Sequence, residues 1–178
     1  MDLQPTLAGP NITLRPVERG DFAALHAAAA DPELWAMHPA RDRWQEAQFR
    51  AHFDTWLMRG GGLAIVEKES GRMIGASCYS TEAAGEGEVE IGWTFLARSH
   101  WGGPTNREVK RLMIGHALRF FDRVIFRVAR TNLRSRGALE KIGAELTDRV
   151  MVIDVAGAPV EHVVYAIGPG APLLREGT

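Results

Sequence analysis

The chain has 178 residues, 46% of them hydrophobic and 24% charged, which suits one compact domain with one core and excludes a disordered chain. Its 21 Lys plus Arg stand against 22 Asp plus Glu, so a net charge of -1 gives no reason to expect binding to nucleic acid or to an anionic membrane. The single cysteine, Cys78, cannot form an intrachain disulfide. Met1 to Pro5 shows no basic stretch leading into an apolar one, and no run of about 18 apolar residues occurs, so a cytoplasmic protein without a membrane span is expected.

Ile12-Thr13-Leu14-Arg15-Pro16-Val17 alternates as a strand does, and Asp21 stands as N-cap before a helix that opens on Phe22. Residues 45–59 place Phe49, His52, Phe53, Trp56 and Leu57 on one helical face and stop at Gly60-Gly61-Gly62. Strand-like runs follow at 63–68, 72–80 and 88–96, separated by Ser70-Gly71 and by the Glu/Ala/Gly segment 82–87; they read as an antiparallel meander. Helical spacing returns over 107–121 through Val109, Leu112, Met113, Ala117 and Phe120, and 124–128 is a short β-branched run, which makes a crossover unit and the one expected parallel pair. A shorter helix over 132–143 begins at Asn132, a good N-cap, and ends at Gly143, with Ala138, Leu139 and Ile142 facing inward. Strands at 149–155 and 160–167, joined by a hairpin at Ala156-Gly157-Ala158-Pro159, lead to a Gly- and Pro-rich tail, 169–178, expected to be loose. The expected architecture is a single α+β domain with its core at about 11–168: a mostly antiparallel twisted sheet with one parallel pair and helices on both faces.

The segment richest in chemistry runs from Glu88 through Ala97-Arg98-Ser99-His100-Trp101-Gly102-Gly103-Pro104-Thr105-Asn106 into a helix. Such a turn leaves the first backbone N–H groups of the helix unpaired, and with the helix dipole they form a seat for phosphate oxygens. Glycines let the backbone approach the anion, and Arg107, Lys110 and Arg111 in the first turns ask for an anion nearby. The plainer alternative is a turn that only redirects the chain, with the cations forming a solvated face. The Gly-Lys-Ser/Thr ending of a P-loop and the G-x-G-x-x-G dinucleotide pattern are both lacking, which argues against ATP and NAD.

The element order and three local matches resemble the GNAT acyltransferases, in particular the branch similar to the RimJ- and RimL-like ribosomal-protein N-terminal acetyltransferases. The matches are Ile12-Thr13-Leu14-Arg15-Pro16 with Asp21-Phe22, Glu90-Ile91-Gly92-Trp93 running through His100-Trp101-Gly102-Gly103, and Asn132-Leu133-Arg134-Ser135 through Gly143-Ala144. The family's Gln/Arg-x-x-Gly-x-Gly/Ala loop is altered at both ends: Ser99 replaces the leading residue, and Pro104 stands for a small one and removes one N–H.

The resemblance implies acetyl-coenzyme A as co-substrate and direct acetyl transfer to a primary amine, either a peptide N-terminus or a small molecule. It implies that the parallel strands splay, so that backbone at Thr94, Phe95 and Leu96 binds the pantetheine arm, while Trp101, Gly102, Gly103, Pro104, Thr105 and Asn106 hold the diphosphate and Asn132 fixes the turn that carries Ser135. Glu90 is the leading base, directly or through water, since alternation puts Glu88, Glu90, Gly92 and Thr94 on one face; the alternative is a strand glutamate in a cross-strand pair. Ser135 is placed as proton donor to the departing thiolate, or else is an ordinary helix residue. Trp35, His38 and Tyr79, with Glu90, are the acceptor-pocket candidates in the region of Leu34 to Pro39 and Trp44, against the alternative of core or rim packing. His52 and His116 lack a second ligand at metal spacing and are read as packing residues, so no metal is expected. A degenerate acyl-coenzyme A-binding or interaction module is the competing reading. The acceptor's identity and the choice between monomer and homodimer are not written in any motif.

Overall fold

The computed structural model describes residues 1–155 and 157–175. In chain order these form β1 (Leu7–Ala8), β2 (Ile12–Pro16), α1 (Phe22–Ala29), α2 (Pro32–Trp35), α3 (Glu46–Arg59), β3 (Gly62–Glu67), β4 (Met73–Ser80), β5 (Glu88–Leu96), α4 (Thr105–Ala117), β6 (Arg123–Ala129), α5 (Leu133–Lys141), β7 (Glu145–Val155), β8 (Ala158–Ile167) and α6 (Pro172–Arg175). The strands make one sheet in the order β1-β2-β3-β4-β5-β6-β8-β7, and among the described residues only β5 and β6 pair in parallel. The mixed architecture read from the sequence is the one observed. The hairpin expected at 156–159 includes Ala156, which lies outside the described residues.

Strand alternation feeds three apolar clusters, two large ones on opposite faces of the sheet and a small one of Ile125, Val164 and Ala166 on β6 and β8. On one face Val109, Met113 and Ile114 of α4 and Leu139 of α5 pack on Ile12, Leu14, Ile65, Val89, Ile91, Val124 and Tyr165. On the other, Phe22 and Leu25 of α1, Trp35 of α2 and Phe49, Phe53 and Trp56 of α3 pack on Ala64, Ala76, Cys78 and Phe95. The small residues Ala64 and Ala76 leave room for rings there: Trp56 stacks on Phe95 with centroids 6.4 Å apart. Glu108, buried on α4, accepts from the Asn11 and Ile12 amides at 2.9 and 3.1 Å and so fastens the helix to the start of β2.

Three expectations need correction. The helix read as 107–121 runs from Thr105 to Ala117, and Phe120, expected on its inner face, is 53% exposed because the chain leaves helical register at Leu118. Of the tail expected to be loose, 176–178 lie outside the described residues, while within 169–175 Ala171 and Leu173 are buried in the core and Pro172–Arg175 forms a helical turn, since a buried leucine outweighs a Gly- and Pro-rich composition. The third concerns β5. Ala76 pairs with Phe95 but Cys78 with Gly92, so β5 carries one extra residue, and Trp93 takes φ 51° at the bulge. Beyond that point alternation reverses. Val89, Ile91 and Leu96 face α4, whereas Phe95 joins the α1–α3 cluster. Thr94, expected on the face of Glu90, therefore turns to α4.

Pairing between β5 and β6 covers only Glu88–Arg123, Val89–Val124 and Glu90–Ile125. Past Glu90 the two strands part while β6 continues to pair with β8 as far as Ala129. The gap between them, at the bulge, is where the two cavities described next converge.

Candidate active site

A cavity of about 690 Å³ runs from the C-terminal half of β5 over the start of α4 to α5. Thr94, Phe95, Leu96, Trp101, Gly102, Gly103, Asn106, Asn132 and Ser135, all expected at the cofactor, line it, as do Trp35 and His38. Pro104 and Thr105 do not; they form the first turn of α4 just behind the glycines. Gly102 adopts φ 72°, and nothing lies within 4 Å of the Cβ position of Gly102 or Gly103, so a ligand can reach the backbone at both. Indole Nε1 of Trp101 donates to the Leu96 carbonyl at 3.0 Å, closing the turn onto the strand end. The Asn132 side chain accepts from Ser135 N at 3.2 Å, the cap expected of it, and so fixes the turn that presents Ser135.

The positive rim of this cavity is Arg107, Arg134 and Lys141. Of the cations expected there, only Arg107 takes part. Helical spacing turns Lys110 inward, and Arg111 lines neither cavity. Arg134 stacks over the Trp101 ring 4.1 Å from its centroid and donates to the Leu34 carbonyl at 3.2 Å, joining α5 to α2 across the mouth.

A second cavity, about 720 Å³, adjoins the first; His38, Thr94, Asn106, Asn132, Ser135 and Ala138 line both. Glu90 lies in it, 4% exposed, with Arg127 donating from both Nε and Nη2 to Oε2, the former at 2.8 Å. Lys110 lines it too. Its Nζ donates to Thr94 Oγ1 at 2.6 Å, and Thr94 Oγ1 shares a hydrogen bond with Ser77 Oγ at 2.7 Å. Burial without a carboxylate partner lowers the Lys110 amine to about 7.

His38 is neutral at ordinary pH: burial first, then the charge of Arg43, lowers it to about 3, and its Nδ1 accepts from Ala40 N at 3.0 Å. Burial likewise keeps His52 neutral. Arg43, lowered by burial to about 10, keeps its charge. Tyr79, expected at the acceptor pocket, lines neither cavity; it is a core residue whose hydroxyl donates to the Met113 carbonyl at 2.6 Å, pinning β4 to α4. Trp44 also lines neither cavity. Among the described residues no group of three or more His, Cys, Asp or Glu is placed to hold a metal ion.

Arg43, Lys110 (as an inward-facing group), Arg127 and Arg134 were not singled out by sequence reasoning. Arg127 carried a usable signal, a charge inside the buried apolar run Val124 to Val128, two residues beyond the register partner of Glu90. Arg134 carried none, because the backbone it reaches is 100 residues away in sequence.

The sequence model of the GNAT acetyltransferase domain matches residues 11–145. The chain belongs to the GNAT acetyltransferase family. Its fold is that of a GCN5-related N-acetyltransferase from Brucella melitensis (TM-score 0.79, 17% identity, covering 93% of this chain and 79% of that one). It also resembles Mycobacterium smegmatis RimJ in complex with CoA-disulfide (TM-score 0.67, 21% identity, 93% and 86%) and the spermidine N-acetyltransferase from Vibrio cholerae in complex with CoA and spermine (TM-score 0.66, 14% identity, 90% and 96%). In this GNAT chain the departure at Pro104 is accommodated: φ -75° and ψ -13° are helical, and its carbonyl accepts from Glu108 N at 2.9 Å.

Proposed function

We propose that the protein is an acetyl-coenzyme A-dependent N-acetyltransferase that passes the acetyl group directly to a primary amine. The observation that carries this is the meeting of two cavities at Thr94 and Ser135, where β5 and β6 part. The first cavity suits the coenzyme. Open glycine backbone leads into α4, Arg107, Arg134 and Lys141 offer positive charge for phosphates, and the parted strand offers backbone to the pantetheine arm. Bound there, acetyl-coenzyme A supplies the acetyl group on a thioester.

The second cavity receives the amine. An ammonium acceptor must lose a proton before it attacks. Glu90 takes it, directly or through water, with Oε2 held by Arg127 and the carboxylate lying over the open Cα of Gly92. Lys110 is the competing acceptor, since burial brings it near neutrality. Ser135, held by the Asn132 turn, gives a proton to the leaving thiolate, which needs little help from an acid. Trp35 and His38 wall the junction on the side of α2.

Calorimetric titration with acetyl-coenzyme A, with adenosine diphosphate and NAD as controls, is the first test, followed by thiol release against a panel of amines. Micromolar, pantetheine-dependent binding with thiol release supports the assignment. Binding without thiol release for any amine makes the chain a non-catalytic acyl-coenzyme A-binding module, and absence of binding removes the coenzyme altogether.

A further inference from the structure

The acceptor cavity holds more positive charge than its own side chains neutralise. Arg59 is paired with Glu82 at 2.8 Å, and Arg127 with Glu90. Arg43 and Lys110 line the same cavity and make no ion pair among the described residues. The remaining carboxylate of the lining, Asp154, is exposed and accepts from Gly157 N at 2.9 Å. The acid that most influences Arg43 is Asp42, its exposed neighbour in the chain, which does not reach ion-pair distance.

Arg43 is held in place rather than left to solvent, with its guanidinium 5.3 Å from the centroid of the Trp35 ring. Around it stand His38 and His52, both uncharged at neutral pH, so neither repels an incoming anion nor neutralises the arginine. His52 Nε2 is buried without a hydrogen-bond partner among the described residues, and its ring lies 5.2 Å from that of Trp93, on the cavity wall. Arg43 is half-buried, and a guanidinium so placed without a carboxylate presents a planar fork that matches a carboxylate bidentately. A polyamine meets the opposite situation, the charge of Arg43 without an ion-pair partner among the described residues, a Lys110 amine that is partly protonated near pH 7, and no unpaired buried carboxylate in the lining.

We propose that the acceptor is an amine that carries a carboxylate, which Arg43 receives while the amine reaches the junction at Thr94 and Ser135. A free amino acid and an acidic peptide N-terminus are two sources of this one chemistry. The inference rests on the acetyl-transfer reading and narrows its substrate.

The experiment uses matched pairs: α-amino acids and their primary amides, short peptides with an acidic second residue and their neutral twins, and spermidine as a cationic control. Binding to the full chain in the presence of coenzyme A is followed by tryptophan fluorescence, for which Trp35 and Trp93 are the reporters, and thiol release from acetyl-coenzyme A is followed in parallel. The acid of a pair should bind about tenfold more tightly than its neutral partner, a difference of about 1.4 kcal/mol. The pair that shows this names the source of the anion. Arg43→Gln should bring the ratio close to one and Arg43→Lys should keep part of it, with melting temperatures recorded to exclude misfolding. Equal affinity within every pair, tighter binding of spermidine, or an Arg43→Gln effect that falls alike on acid and amide would overturn the proposal. Thiol release without acid preference defeats this inference alone, whereas acid-selective binding without thiol release defeats the transfer reading alone.

Discussion

Lys110 shows how one buried side chain links stability to chemistry. The residue is 5% exposed and its amine donates to a hydroxyl instead of a carboxylate, so burial lowers it from 10.5 to about 7. A lysine whose folded value lies below its unfolded one destabilises the fold most where both states are protonated, below pH 7; that penalty fades as pH rises toward about 10.5, because the unfolded chain then holds the extra proton. Lys110→Met should therefore be more stable than the wild type by on the order of a few kcal/mol at pH 7, with the gap narrowing steadily toward pH 10 in denaturant titrations. A gap that does not change with pH would show that the amine titrates normally. The same variant bears on catalysis. If Glu90 accepts the acceptor's proton, Glu90→Gln loses turnover, most at low pH, and leaves acetyl-coenzyme A affinity within about twofold. If Lys110 does, the limb of the kcat/KM profile near pH 7 vanishes in Lys110→Met.

At the scale of elements, the strand-turn-helix unit from β5 to α4 decides where the site forms. The span of β5, Glu88–Leu96, was legible in the sequence to the residue, because apolar alternation over that many residues has no competing reading. The bulge within it was not, since one inserted residue breaks a period of two only locally, and Trp93 at φ 51° is a residue type that gives no hint of that conformation. Missing the bulge placed Thr94 beside Glu90 when its partner is Lys110. The glycine turn was legible because Gly102-Gly103 stands between a strand and a helix. Gly102→Val should weaken acetyl-coenzyme A binding by about tenfold or more, since φ 72° strains a β-branched residue and its methyl groups enter the open space where the diphosphate is proposed to sit; unchanged affinity in calorimetry would remove the diphosphate from this turn. Asn132→Ala, by removing the α5 cap, should cost about 1 kcal/mol of stability and lower turnover through the displaced Ser135 turn. A stability loss with unimpaired turnover would mean that Ser135 needs no such positioning.

At the scale of the whole molecule, apolar clusters cover both faces of the sheet, and the cavities lie where β5 and β6 stop pairing, between the β1–β5 and β6–β8 parts of that sheet. A ligand that bridges β5, α4 and α5 in this gap adds contacts the free protein lacks. The bridging residues are far apart in sequence, which is why the cavity's mouth, with Arg134 reaching Leu34, could not be read from local pattern while the sheet could. Ligand binding to the native state alone stabilises it by mass action, about 2.7 kcal/mol at a hundred times Kd. For a chain of this length each kcal/mol moves the melting temperature by roughly 2–4 °C, so saturating acetyl-coenzyme A should raise it by about 5–10 °C, measured by calorimetry. Gly102→Val should lose most of that rise at the same coenzyme concentration if, as proposed, this turn seats the phosphates. A variant that melts lower than the wild type yet keeps the full rise would place the coenzyme elsewhere in the sheet, away from the cavity between β5 and α5.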